Sequence, residues 1–200
     1  MTRLDLDPAT LGVGIYPWLN SVVVPRPIAW VSTRSAAGVD NLAPHSFFTI
    51  AGVVPPVLSF TSVGTKDTLR NILATEEFVV CLSPEPLLEQ VNLTATDYPQ
   101  GVSEFDALGI AREASSKVAP SRVAESPVAL ECRLVDTRAF GDCTVVFGEV
   151  VHLAVDQDVL RDGRPAVDLL KPLARLGANE WSTIGTVSEH RRIPYAEVAP

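Results

Sequence analysis

No stretch of this 200-residue chain approaches the ~20 consecutive apolar residues of a membrane helix. Its first ten residues, MTRLDLDPAT, have no apolar core of the kind a secretory signal carries, so a cytoplasmic location is expected. Cysteine is scarce and odd in number: Cys81, Cys132 and Cys143, none in a C-x-x-C pair. That excludes paired-cysteine zinc clusters and thioredoxin-type redox motifs and predicts buried free thiols in a reducing compartment. Cys132 and Cys143 could still face one another across a hairpin. Basic residues are outnumbered, 16 against 24, for a net charge of −8 and a pI near 4.8. Such a surface repels nucleic-acid phosphates and anionic headgroups, so neither nucleic acid nor membrane is an expected partner. His45, His152 and His190 are too scattered for H-E-x-x-H or H-x-H, and no metal site is expected. G-x-G-x-x-G, G-x-x-x-x-G-K-[ST] and G-x-S-x-G are all missing, and no nucleophile–base set stands out.

What is present is an ordinary folded composition, 46% apolar and 20% charged, in a length that suits one domain over 1–200. The first twenty residues read as irregular, broken by Pro8, Gly12, Gly14 and Pro17. SVVV and PIAWVSTRS read as one strand interrupted at Pro25–Pro27, near a sheet edge. VLSFTS alternates Val57, Ser59 and Thr61 against Leu58, Phe60 and Ser62. GTKDTLRNILATEE predicts a helix burying Leu69, Ile72 and Leu73, with Thr65 or Asp67 as N-cap. EFVVCLS is a buried strand. PEPLLEQVNLTATDYP is helical, with Leu87, Leu88, Val91 and Ala95 on one face. SPVALECRLVDTRAF and DCTVVFGEVVHLAVD form a long hairpin turning at Phe140–Gly141–Asp142. DLLKPLARLG is a helix broken by Pro172, residues 100–122 are an excursion across the body, and the tail from Trp181 is irregular. Long strands without regular strand–helix alternation predict a mainly β fold with some helices: an antiparallel sheet, closed or partly closed into a barrel.

One connection, NLAPHSFFTI (Asn41–Ile50), starts polar and ends aromatic. It is either a loop that tucks its aromatics into a core or the rim of a site for a flat amphipathic ligand. Nearby segments contribute Ser32 and Thr33, then Thr61 and Ser62, then Lys66, Asp67 and Thr68 at a helix start. An exposed helix N-terminus with a cation and hydroxyl donors suits one phosphomonoester, even on an acidic protein. The same SVGTKDT also reads as a plain capped helix with a solvated lysine.

In this order, PRPIAWVSTRSAAGVDNLAPHSFFTI, PPVLSFTS, KDTLRNI, EFVVCLS, GEVVHLAVD and PLARLGANEW resemble the flavin reductase-like proteins with the FMN-binding split-barrel fold. The pattern is a strand ending in V-S/T-T, then N-x-A-P-x-S-x-F, a strand ending in small hydroxyls, K-D-T-x-x-N on a helix, a G-x-V strand and L-x-R-x-G-G. The match runs from about 17 to 181, with Ala178 in place of the second glycine and Trp181 where tyrosine is common.

The resemblance implies an antiparallel, Greek-key split barrel and a homodimer with one FMN, or FAD in its place, per subunit at the interface. By position, Ser32, Thr33, Asn41, Ala43, Pro44, Ser46 and Phe47 would line the ring and ribityl chain, and Thr61, Ser62, Lys66 and Thr68 would hold the phosphate. Asn71 fits a structural amide equally well. NAD(P)H would be the hydride donor, with no catalytic side chain required. Reduced flavin would feed a separate monooxygenase, or FMN would stay bound in an electron carrier or oxidoreductase. A non-redox domain with a degenerate site is the remaining alternative. His45 either faces solvent or a second subunit, or sits by the flavin. His152 is expected half-buried. Arg26 and Arg175 fit surface ion pairs or anion contacts, and Trp181 fits a place near a partner subunit's flavin.

Overall fold

The computed structural model describes residues 1–198. Seven strands carry the fold: β1 (Ala29–Arg34), β2 (Asp40–His45), β3 (Phe48–Gly52), β4 (Val57–Val63), β5 (Glu77–Leu82), β6 (Val128–Phe140) and β7 (Cys143–Val155). They pair antiparallel throughout, in the order β2-β1-β5-β6-β7-β4-β3. The two end strands of that order, β2 and β3, are separated in the chain only by Ser46 and Phe47. Three Cα steps reach at most about 11 Å, so the sheet must roll until its ends meet. At the meeting point the Thr61 N–H donates to the Phe47 carbonyl at 2.9 Å. Beyond that corner β2 runs beside β4 without pairing to it, and the hydrogen-bonded ladder stays open along this seam.

Side chains alternate across a strand, and here both faces of the sheet are buried. Ala29, Val31, Phe78, Val80, Leu58, Phe60, Cys132 and Val146 pack inside the roll with Leu69 and Ile72 of helix α2 (Asp67–Thr75), which plugs one end. The opposite parity, Trp30, Val79, Cys81 and Ala129, packs outward against Leu87 and Val91 of the turn and helix after β5, and against Phe105, Ile110 and Val123 of the excursion. This explains why EFVVCLS is a continuous apolar run rather than an alternating one. Within β7, Gly148 lies under the Phe78 ring, and any Cβ there would overlap it.

Three buried carboxylates fasten the excursion. Asp40 accepts from Arg34 (2.7 Å), Arg112 (3.1 Å) and the Ser121 hydroxyl (2.9 Å). Fully buried Glu131 accepts from the N–H groups of Ser116 (2.8 Å) and Lys117 (2.6 Å) and from Arg122 (2.9 Å). Burial alone would raise both carboxyls. For Asp40 the hydrogen bonds from Arg34 and Ser121, with the Arg34 and Arg112 charges, outweigh it. For Glu131 the Ser116 and Lys117 N–H groups and Arg122 do the same, and both are held below the usual carboxylate range. Glu104, in the short helix Glu104–Leu108, accepts the Leu42 N–H at 2.8 Å.

Several expectations are corrected. The amino terminus is irregular only to Asp7 and helical from there: a short helix at Pro8–Leu11 leads into α1 (Ile15–Val22), which absorbs Ser21 and Val22 of SVVV. Arg26–Pro27 is not part of β1 but pairs with Ala174–Arg175, and Trp181–Ser182 adds to that small sheet, so the tail is ordered at its start. Asn41–His45 is strand, not connection: Asn41 to His45 pair with Thr33 to Ala29, and Pro44 sits on an edge strand where no ladder N–H is needed. The N-cap of α2 is Lys66, with no side-chain cap bond, rather than Thr65 or Asp67. Leu73 is exposed, lying off the buried face of its helix, and Ala95 is exposed in the turn that follows the helix ending at Leu93. The helix before Pro172 stops at Leu170, and Leu173 to Arg175 are extended. Cys132 pairs in register with Val150 and Cys143 with Phe140, so the two thiols do not face one another, and all three cysteines are free. Burial drives the Cys81 thiol up to about 12.

Candidate functional site

A cavity of about 420 Å³ opens over the seam between β2 and β4, a size in the range of small-molecule sites. Of the expected residues, Asn41, Ala43, Pro44, Ser46, Phe47, Thr61, Lys66 and Thr68 line it. Two segments that looked unrelated in the sequence, Asn41–Phe47 and Thr61–Thr68, converge here because the sheet's two ends meet. Ser32, Thr33 and Ser62 do not line it. Ser32 is on the outward parity beside Trp30. The Thr33 hydroxyl accepts from Asn71 at 3.0 Å, which gives Asn71 its structural role. Ser62 donates to the Gly64 carbonyl at 3.0 Å and shapes the turn before α2.

The floor of the cavity is polar and partly unsatisfied. With no side-chain cap on α2, the first-turn N–H groups of Asp67, Thr68 and Leu69 have no protein acceptor among the described residues. The Thr68 hydroxyl accepts from the Asn41 amide at 3.1 Å, which leaves its own proton free to be donated. Lys66 pairs with Asp97 at 3.0 Å, but both are exposed, and such a pair is readily exchanged for a better anion. Arg70 supports the loop by donating to the Thr65 carbonyl (2.6 Å) and pairing with Asp67. Glu104 stands at the rim, its carboxyl raised by burial and by nearby Asp67 despite the Leu42 N–H.

His45 turns inward rather than to solvent. Its ring lies 4.7 Å from Phe60, and Nδ1 is 3.4 Å from the Thr61 carbonyl. A carbonyl only accepts, so Nδ1 carries the proton and Nε2 is a bare acceptor; Nε2 is shielded and has no partner among the described residues. Burial, helped by the Lys66 charge, lowers the imidazole to about 4, and it is neutral near pH 7.

Sequence reasoning did not place Tyr16, Arg70, Glu104 or the Thr94–Tyr98 loop on this cavity. The loop is brought there by Trp30, whose Nε1 donates to the Thr94 hydroxyl at 2.9 Å, a link between residues 64 apart that no local pattern reveals. Arg26 is a buried clamp rather than a surface ion pair. It donates to the Val23 carbonyl (2.8 Å) at the end of α1 and to the Leu176 carbonyl (2.7 Å), and lies over the Phe47 ring. His152 is half-buried in β7.

A family model described as "Flavin reductase like domain" matches residues 20–173. The chain belongs to the flavin reductase-like family. A protein of Deinococcus radiodurans is 38% identical over 197 residues, covering 91% of this chain and 86% of that one. Among solved structures, nitrilotriacetate monooxygenase component B from Bacillus cereus superposes with a TM-score of 0.89 at 29% identity, over 95% of this chain and all of the other. The 2-nitrobenzoate 2-nitroreductase of Pseudomonas fluorescens does so with a TM-score of 0.87 at 30% identity, over 96% of each. The rolled, open sheet is thus the split barrel of this family, mainly β with some helices, and flavin oxidoreductase chemistry comes with the family.

The cavity fits a flavin mononucleotide by its donor set. One end offers uncapped backbone N–H groups, a hydroxyl proton and a cation, which suit a phosphate. The other is walled by Ala43, Pro44, Phe47 and Tyr16, which suit a flat ring. No helix among the described residues is long and apolar enough to cross a membrane.

Proposed function

We propose that the protein is an NAD(P)H-dependent flavin reductase whose FMN lies in the seam cavity. The observation that carries this reading is the uncapped N-terminus of α2, with Thr68 and Lys66, on a cavity also lined by Asn41 and Ala43–Phe47. Bound there, FMN supplies the redox chemistry, accepting a hydride from a reduced pyridine nucleotide. The chain's own residues bind and orient. Lys66, Thr68 and the first-turn N–H groups hold the phosphate, and Thr61 lies beside them. Asn41, Ala43, Pro44, Ser46 and Phe47 set the plane of the ring, and Arg26 over Phe47 holds that wall in place. Ser32, Thr33 and Ser62 act one layer behind. His45, neutral and inward, supports the corner and does not act as an acid.

A homodimer is part of the proposal. Trp18, Leu19, Val22 and Val23 on and after α1, Ile50 in β3, and Val53 and Val54 at the β3–β4 turn are exposed apolar groups that a second copy would cover. Two modes of use each have a neighbour behind them. The likeness to a monooxygenase component B favours reduced flavin passing to a separate monooxygenase. The likeness to a nitroreductase favours FMN that stays bound and reduces a substrate in place.

The test is the absorbance spectrum of the purified protein after incubation with FMN and desalting, then with NADH or NADPH without oxygen. Flavin bands that bleach promptly support the reading. A protein that takes up no FMN even in direct titration would sink it. Pyridine-nucleotide oxidation that rises with added free flavin selects the first mode; oxidation indifferent to it selects the second.

A further inference from the structure

A second cavity, also about 420 Å³, lies against the first. Pro44, Ser46 and Ala95 line both, so the two share a wall. The far side of the second is formed by Ile28, Asn92, Arg175, Asn179 and Trp181. Arg175 stands on a chain with a net charge of −8. Like its neighbour Arg26, it has no carboxylate partner among the described residues, whereas Arg34, Arg112 and Arg122 each hold a buried one. Arg26 and Arg175 are register partners in the small sheet, and after burial the Arg175 charge is the main influence that lowers Arg26. The guanidinium lies 4.6 Å over the Trp181 ring and donates one Nη2 bond to the Ala178 carbonyl at 2.8 Å. Its Nε–H and Nη1–H groups have no acceptor among the described residues.

A guanidinium stacked on an indole is orientationally fixed, and the donors left free on it can meet a carboxylate or phosphate. Two cations without a counter-ion make a local positive potential where the molecule as a whole is negative. We propose that this second cavity binds an anionic, planar ligand. A ring would lie against Ile28 and the Pro44–Ser46 wall, and a carboxylate or phosphate would rest on Arg175. Adjacency to the first cavity makes this ligand the flavin's partner in electron exchange; that role rests on the flavin reading, but the binding does not. Asn92 and Asn179 supply neutral donors at the mouth, and the Ser46 hydroxyl, 3.5 Å from Arg26 Nε, stands between the two sites.

Calorimetric titration of the full chain, with and without FMN, tests this with three probes: benzoate, its uncharged isostere benzamide, and nicotinamide mononucleotide. At least one anion should bind at least about tenfold more tightly than benzamide, a factor equivalent to one charge-assisted hydrogen bond. Benzoate alone points to a ring carboxylate, the mononucleotide alone to a nucleotide phosphate. Arg175→Gln should abolish the preference and Arg175→Lys should keep part of it, while FMN affinity stays within about twofold of the parent. The proposal is overturned if neither benzoate nor the mononucleotide binds more tightly than benzamide, or if neither anion binds at about 10 mM, where even a millimolar site is mostly filled. It is also overturned if Arg175→Gln leaves anion binding intact or weakens FMN as much as the anion. A protein that holds benzoate through Arg175 yet never takes up FMN would remove the flavin reading and leave this site standing.

Discussion

Two polar regions flank the same strand, β2, and they are built on opposite principles. At its start, Asp40 and the nearby Glu131 network sit in a region where the buried carboxylate oxygens are matched by N–H or O–H donors. At its end, His45 Nε2 is bare, the first turn of α2 is uncapped, and Lys66 rests in an exposed, exchangeable pair. Burying a polar group without a partner costs stability, so satisfied networks belong to the architecture, and the unsatisfied corner is where a ligand completes the structure. The partnerless hydroxyls of Ser32, Ser83 and Ser103 lie off the cavity, so the contrast rests on the uncapped helix end, Lys66 and the His45 ring together and not on unsatisfied atoms alone.

The largest effect expected from breaking it lies on the satisfied side. Glu131→Ala strands the Ser116 and Lys117 N–H groups and leaves Arg122 without its buried partner. Losing one member of a buried pair costs about 3–5 kcal/mol. Urea unfolding should show this loss, and hydrogen exchange should rise across residues 111–123 rather than around the seam cavity. A loss spread evenly over both would dissolve the distinction.

His45 sharpens the comparison through pH. The unfolded imidazole titrates near 6.5 and the native one at about 4. Between those values the unfolded chain takes up a proton that the native state refuses. Stability from this group is therefore complete above pH 6.5 and falls as pH drops to 4, by about 3 kcal/mol in all. Asp40 and Glu131 have lowered carboxyls, so their contribution is present above the unfolded carboxylate range and lost only in more acid solution. Stability against pH should then show two descending steps, and His45→Leu should erase the upper one alone. A single step unchanged by that substitution would mean that the ring is not enclosed as described.

On the ligand side, Lys66→Ala should weaken FMN binding by about tenfold or more, the worth of one charge-assisted phosphate contact. Thermal stability should barely move, because the Lys66–Asp97 pair is exposed. Equal FMN affinities for mutant and parent would place the phosphate elsewhere.

Much of this was legible in the sequence, and for definite reasons. The β6–β7 hairpin, the buried run of β5 and the helix at Asp67–Thr75 announce themselves through local periodicity. Most of the residues that line the seam cavity also followed, because its two halves are short contiguous segments. The mistakes came where tertiary context overrides local signals. Asn41–His45 reads as a loop because asparagine and proline are turn residues, but on an edge strand neither disturbs the ladder. Ser32, Thr33 and Ser62 belong to the segments that the family resemblance points to, but strand parity or a local hydrogen bond turns them away from the cavity. Arg26, Glu104 and the Thr94–Tyr98 loop reach the corner only through long-range bonds, which leave no periodic trace.

The smallest effect concerns the one place where the chain departs from the family's paired glycines. At Gly177 a side chain has no room: a Cβ would lie 2.6 Å from the Ser21 hydroxyl and 3.3 Å from its Cα, against the face of α1. At Ala178 there is a side chain already, and the cost is in the backbone, which sits at φ 47°, the left-handed region that an L-residue occupies at a cost of roughly 1 kcal/mol. Neighbouring positions of one turn therefore favour glycine for different reasons, space at the first and φ at the second. Ala178→Gly relieves the strain but also frees the unfolded chain, which takes back about half of the gain. A net rise in Tm of about 1–2 °C is expected, and Gly177→Ala should shift it the other way. The strain in Ala178 is also part of how its carbonyl is presented to Arg175. If Ala178→Gly raised Tm while loosening benzoate in the second cavity, the alanine would be holding the guanidinium edge in position, and the departure from the family pattern would have a use beyond stability.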